Sequence, residues 1–188
     1  MNVILLLILV LRAVLMLIIC VVGVISIYFL LNSGFMRRSP PVPSSGQVKK
    51  ALIEDVAKVL SKRRRQVVMD LGSGWGTLLL PLARRFPHHQ FIGIEYGCIP
   101  YWISRLRARQ MPNLTFLRRD FFKTDISDAD VILTFLLTSE MARLTQKCQT
   151  EAKKGALVYA NRFRMKKVPF QRKVSFGSDF NTYYVYKM

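Results

Sequence analysis

The chain has 188 residues, of which 29 are Lys or Arg and 11 are Asp or Glu, giving a net charge of +18. Its three cysteines (Cys20, Cys98, Cys148) and two adjacent histidines (His88, His89) have no metal-ligand or redox spacing, and no Ser/His/Asp set stands out. Metal and triad chemistry are therefore excluded as readings, the histidines are taken as surface residues in a turn, and Cys98 as a small buried hydrophobe.

Met1–Asn32 is almost wholly apolar, broken only by Arg12, and Ala13–Asn32 carries no charge. About 20 such residues suffice to cross a bilayer core. A secretory signal peptide is the competing reading. It wants a shorter core and a small-residue cleavage site, whereas Tyr28–Leu31, Phe35 and Met36 are bulky. Residues 1–32 are thus expected to form an uncleaved signal anchor. Arg37, Arg38, Lys49, Lys50 and Lys62–Arg65 follow it, so the positive-inside rule places the C-terminal side in the cytoplasm. The expected protein is single-pass, at the inner membrane if bacterial. The 28 basic and 11 acidic side chains beyond the span leave a net +17. That charge fits an anionic lipid surface at about 1 kcal/mol per basic residue near it. Nucleic acid is the less favoured partner, and Lys62–Arg65 alone also reads as a solvated helix end.

Residues 33–46 (SGFMRRSPPVPSSG) form a proline- and serine-rich linker, and 47–188 one soluble domain. Apolar spacing predicts a helix over 47–61. Then follow a strand at 66–71, a helix at 75–86, a strand at 90–95, a helix at 99–110 and a strand at 114–118. A strand at 129–136, a helix at 138–150 and a strand at 155–161 come next. Two tail strands, 169–176 and 181–187, are joined by Gly177–Asp179. The short connection Arg162–Pro169 leaves no room for a further helix. Alternation implies an α/β fold with a mostly parallel sheet and ligands at the strands' carboxyl ends. Two such ends stand out. VVMDLGSGWG (Val67–Gly76) is an apolar strand, then Asp70, then Gly72, Ser73, Gly74 and Gly76 in a tight turn. FIGIEY (Phe91–Tyr96) is a second strand ending on Glu95, where a carboxylate can accept hydrogen bonds from both ribose hydroxyls. Together they describe a nucleoside-binding domain. Thr77 stands where a dinucleotide GxGxxG turn needs its third glycine.

DLGSGWG resembles the first motif of class I S-adenosyl-L-methionine (SAM) methyltransferases, and NLTFLRRDFF (Asn113–Phe122) resembles a later one. The resemblance implies SAM as cofactor and a Rossmann-like, doubly wound, seven-stranded sheet with a C-terminal antiparallel hairpin. It implies that the glycine turn passes under the methionine part of SAM. Asp70 would order that turn and the cofactor's amino group, and Glu95 would grip the ribose. Asp120 would accept from the adenine amino group, Phe121 would offer its backbone N–H to the ring, and Tyr96 would pack on its face. More narrowly, the chain resembles small membrane-anchored lysine methyltransferases of mitochondria and their prokaryotic relatives. PVPSSGQV (Pro41–Val48), DLGSGxG, Met141–Leu144 and Arg162–Phe163 carry that likeness. It implies a lysine in a protein of the energy-transducing membrane as acceptor.

The acceptor side is Thr134–Glu140 (TFLLTSE). It lacks the Asn/Asp-Pro-Pro-aromatic stretch of base-amine methyltransferases and the paired glutamates of arginine methyltransferases. No cysteine follows the strand closely to serve as a nucleophile. Direct transfer to an amine or oxygen remains, with Phe135 lining the acceptor pocket and Glu140 bonding an amine. Glu140 is equally explained by the helix dipole, with Thr138–Ser139 as a capping run. A membrane small molecule (a phospholipid amine or quinone) and a non-catalytic binding module stay open as alternatives.

Overall fold

A computed structural model of the chain describes residues 3–32, 46–60 and 62–188, in two compact units divided at Pro40. The expected linker, apart from Gly46, lies outside the described residues, as does most of the PVPSSGQV segment.

The first unit is one helix, α1 (Val3–Asn32), of 30 residues. It starts well before Ala13 and takes in Arg12. At 1.5 Å per residue it is about 45 Å long, more than a bilayer core requires. Its large apolar side chains from Val3 to Tyr28 are exposed. Among the described residues it is the one helix long and apolar enough to cross a membrane.

The second unit is a seven-stranded sheet. Helix α2 (Gly46–Val59) leads into β1 (Val67–Leu71), α3 (Leu79–Arg85), β2 (Gln90–Glu95), α4 (Cys98–Arg107) and β3 (Leu114–Arg118). Then come β4 (Val131–Thr134), α5 (Thr138–Glu151), β5 (Leu157–Asn161), β6 (Arg172–Ser175) and β7 (Thr182–Lys187). The strand order is β3-β2-β1-β4-β5-β7-β6. The first five strands pair in parallel, while β7 runs antiparallel to both β5 and β6. This is the doubly wound sheet with a terminal hairpin that the sequence implies. Residues 162–171 between β5 and β6 contain no helix.

Burial on both faces makes the central strands nearly continuous apolar runs. One face carries Val48, Leu52 and Val56 of α2 with Leu79, Leu82 and Ala83 of α3. The other packs Met141, Leu144 and Cys148 of α5 against Ile94, Ile132 and Val158. Asp55, buried in α2, ties the first layer to the hairpin. It accepts from the Arg172 guanidinium and, at 2.9 Å, from the Tyr183 hydroxyl.

Three expectations are corrected. Helix α3 begins at Leu79, not residue 75, because positive φ angles at Gly72, Gly74 and Gly76 hold the chain in a turn. His89 is buried, only 4% exposed, while His88 is exposed. Its Nδ1 accepts from the Gln66 N–H at 3.2 Å, and burial is the main cause holding its pKa below the usual value. The residue preceding α5 is Leu137, which has no side-chain capping bond, so Thr138 and Ser139 lie in the first helical turn and do not cap it.

Candidate functional site

The glycine turn leaves β1 at its carboxyl end, between the ends of β2 and β4. Gly72 and Ser73 both donate backbone N–H bonds to the Ile94 carbonyl, at 2.9 and 3.0 Å. This pins the turn to β2. Gly74 has φ +52°, and a Cβ there would meet no protein atom within 4 Å. Its Cα therefore faces open space, where a ligand can approach the backbone. Gly76 is constrained by the protein itself: with φ +71°, a Cβ would sit 2.5 Å from the Phe116 ring.

Glu95 bridges the turn to the next helix. One carboxylate oxygen accepts the Gly74 N–H at 2.8 Å, and the other accepts the Gly97 N–H at 2.6 Å. Gly97 is the residue preceding α4. A carboxylate has about four lone-pair positions, so each oxygen can still take one ribose hydroxyl. Glu95 therefore shapes the turn as well as offering acceptors.

Asp70 is 4% exposed, and no described donor hydrogen-bonds its carboxylate. Burial, and then the negative charge of Glu95, push its pKa up to about 7. The Ser73 hydroxyl is likewise buried without a partner. A desolvated acid and a buried, unpartnered hydroxyl beside a glycine turn fit a ligand that brings a cationic amine. The α-amino group of SAM is such a group, and the ribose acceptors of Glu95 suit its nucleoside half.

The remaining predicted residues gather at the same edge of the sheet. Asp120 follows β3, and its carboxylate accepts the Phe122 N–H at 2.9 Å, capping a 3-10 turn over Phe121–Lys123. The Phe121 ring is buried in the core. Tyr96 is exposed directly after Glu95. At the end of β4, the Thr134 hydroxyl is buried without a partner, and Phe135 is half-buried. Leu136 approaches the turn, 3.6 Å from where a Cβ on Gly72 would lie. Glu140 is half-buried in the first turn of α5. After β5, Arg162 has φ +68° and lays its guanidinium over Phe163 and Phe180, at 5.2 and 4.5 Å from their ring centroids.

Sequence reasoning missed three supports. Gly93 in β2 lets the Phe116 ring lie against the strand, since a Cβ would come within 2.3 Å of it. The Gly97 N–H holds Glu95, and Arg107 donates to the Trp75 carbonyl at 2.8 Å. FIGIEYG contains both glycines, but only the fold shows what lies against them.

A family profile described as the ANTKMT methyltransferase domain matches residues 70–172. A protein-lysine N-methyltransferase of Saccharolobus islandicus is 29% identical over 143 residues, 71% of this chain and 82% of that protein. The adenine nucleotide translocase lysine N-methyltransferase of Mus musculus is 32% identical over 140 residues, 71% of this chain. The matched segment spans only 59% of the mouse protein. Among solved structures, an RNA methyltransferase from Salinibacter ruber, in complex with S-adenosyl-L-homocysteine, aligns with a TM-score of 0.66 at 26% identity. That alignment covers 78% of this chain and 93% of the bacterial one.

Proposed function

Because the chain belongs to the ANTKMT methyltransferase domain family, we propose that it is a membrane-tethered enzyme that methylates the side-chain amine of a lysine in a membrane protein. SAM is the cofactor and supplies an electrophilic methyl group on a sulfonium. Asp70 pairs with its ammonium group, and the turn Gly72–Gly76 follows its backbone-like portion. Glu95 accepts from the ribose hydroxyls, while Tyr96 and the segment after Asp120 flank the base.

On the acceptor side, Phe135 and Leu136 give an apolar surface beside the turn. An amine entering there loses water, which favours its neutral form and leaves its lone pair free to attack. Its proton leaves to solvent before transfer, and the new N–C bond would form as the methyl–sulfur bond breaks, with S-adenosyl-L-homocysteine as the leaving group. Glu140 accepts one remaining N–H and aligns the nitrogen in line with the methyl group. Placement of this kind accounts for much of the acceleration in bimolecular transfers.

The observation that carries the reading is the buried Asp70, desolvated beside Glu95 at the end of β1, with the unpartnered Ser73 hydroxyl in the adjoining turn. Relatives named as lysine N-methyltransferases support lysine as acceptor. The length and apolarity of α1 support the tether. The test is transfer of label from tritiated SAM into native membranes carrying the wild-type protein or Asp70→Ala, with products split into protein, lipid and RNA. Label in a protein band, recovered as methyl-lysine and lost in the variant, is expected. Label in the organic phase or in RNA would overturn the lysine reading and leave the cofactor assignment intact.

A further inference from the structure

Between Tyr96 and Asp120 the chain has five arginines and no acidic residue. Helix α4 lies in this stretch and has two unlike faces. Pro100 and Ser104, followed by Ala108 just past the helix end, are buried against the sheet. On the outer side Trp102, Ile103 and Leu106 are 55%, 39% and 64% exposed. Leu106 follows Ile103 by three residues and Trp102 by four, which joins them in a single stripe on the helix surface. Arginines flank the stripe. Arg105 lies over the Trp102 ring, 5.2 Å from its centroid, and donates to the Tyr101 hydroxyl at 3.3 Å. Next to the stripe is a groove of about 720 Å³, bounded by Arg84, Arg107 and Arg109 with Leu106, Met111 and Pro87. Arg85, just beyond it, is already paired with Glu54 at 2.7 Å.

We propose that the outer face of α4 docks on an anionic bilayer surface, with Trp102, Ile103 and Leu106 entering the headgroup boundary and the arginines meeting lipid phosphates. This rests on the membrane-tethered reading above and names the surface that reading leaves open. An exposed apolar stripe with Trp and Leu, bordered by Arg, is the pattern of a helix lying in a membrane interface. Guanidinium groups bind phosphate oxygens in forked pairs. Covalent continuity with α1 keeps the domain near a bilayer, so modest affinity suffices. RNA accounts for the arginines and for stacking on Trp102, but it would leave Ile103 and Leu106 in water.

The face also bears on the cofactor site. Helix α4 starts at the Gly97 N–H that Glu95 holds, and its last residue, Arg107, grips the Trp75 carbonyl in the glycine turn. Docking therefore braces the helix on which the turn leans.

The test uses the full chain in proteoliposomes containing lipids brominated along the acyl chain, with phosphatidylglycerol present or absent. Tryptophan emission is read in the wild type and in Trp102→Phe, and flotation is followed in parallel. Expected is quenching that needs phosphatidylglycerol, is lost in Trp102→Phe, and is diminished in Arg105→Gln/Arg109→Gln and by high salt. Flotation without quenching of Trp102 would overturn the docking face and leave the tether standing. Failure to float with anionic vesicles would overturn both. Protection of Trp102 by added RNA, with none from lipid, would assign the face to nucleic acid.

Discussion

Asp70→Asn separates stability from binding. Burial and Glu95 raise the Asp70 pKa from 3.8 to about 7. Below the unfolded value both states are protonated, and the group contributes nothing. As pH rises, the unfolded chain gives up its proton first, so native stability falls until the folded pKa is passed. A shift of this size is a penalty of roughly 4 kcal/mol, fully present above pH ~7. Asparagine removes the titration but leaves an amide N–H unsatisfied, at about 1 kcal/mol. The cofactor-free variant should gain roughly 3 kcal/mol near pH 8, or about 6–12 °C in melting temperature for a chain of this size. Near pH 4 that gain should vanish. With SAM bound the order reverses, because the wild-type carboxylate then has an ammonium partner. Wild-type affinity should weaken up to about tenfold per pH unit below pH ~7, while the variant binds weakly and with a flatter profile. Thermal melts of the full chain in detergent, followed by tryptophan fluorescence, and calorimetric titration with SAM measure both effects. A variant that melts below wild type near pH 8 without SAM would refute a desolvated, unpaired Asp70.

Other expectations follow from individual contacts. Glu95→Ala removes acceptors for the Gly74 and Gly97 N–H groups as well as for the ribose. Calorimetry should show SAM binding weakened by about 1–3 kcal/mol, with a lowered melting temperature; affinity within error of wild type would remove Glu95 from the ribose role. Gly93→Ala drives a Cβ into the Phe116 ring and to 2.8 Å from the Ser73 hydroxyl. A loss of roughly 1–3 kcal/mol is expected in denaturant melts, partly restored by the added change Phe116→Leu. Asp55→Ala leaves the Tyr183 hydroxyl without its acceptor and frees Arg172. A cost of about 1–3 kcal/mol is expected, with SAM affinity unchanged because the cluster lies away from the turn.

Element order was legible because the signals are local. Alternating apolar runs and helical periods follow side-chain burial, and β2, β3 and the start of α5 fall where the pattern puts them. Boundaries that depend on backbone angles were not. Three positive-φ glycines in the turn delay α3 to Leu79, and spacing alone does not reveal φ. The His88–His89 pair looks like a polar turn, yet His89 is drawn inward by the Gln66 N–H, a partner 23 positions earlier in the chain.

The sequence by itself determined the α/β class, the apolar first helix and the carboxyl-end cluster of Asp70, the glycines, Glu95 and Asp120. These follow from residue type and short-range spacing, which limit what each segment can bury or how tightly it can turn. Only the tertiary structure decided what those residues do to one another. It set the lone, desolvated carboxyl of Asp70 and the double backbone grip of Glu95. It also showed which side of α4 faces water with Trp102, Ile103 and Leu106 on it. Desolvation, charge proximity and exposure depend on segments far apart in sequence, so they exist only once the sheet has assembled.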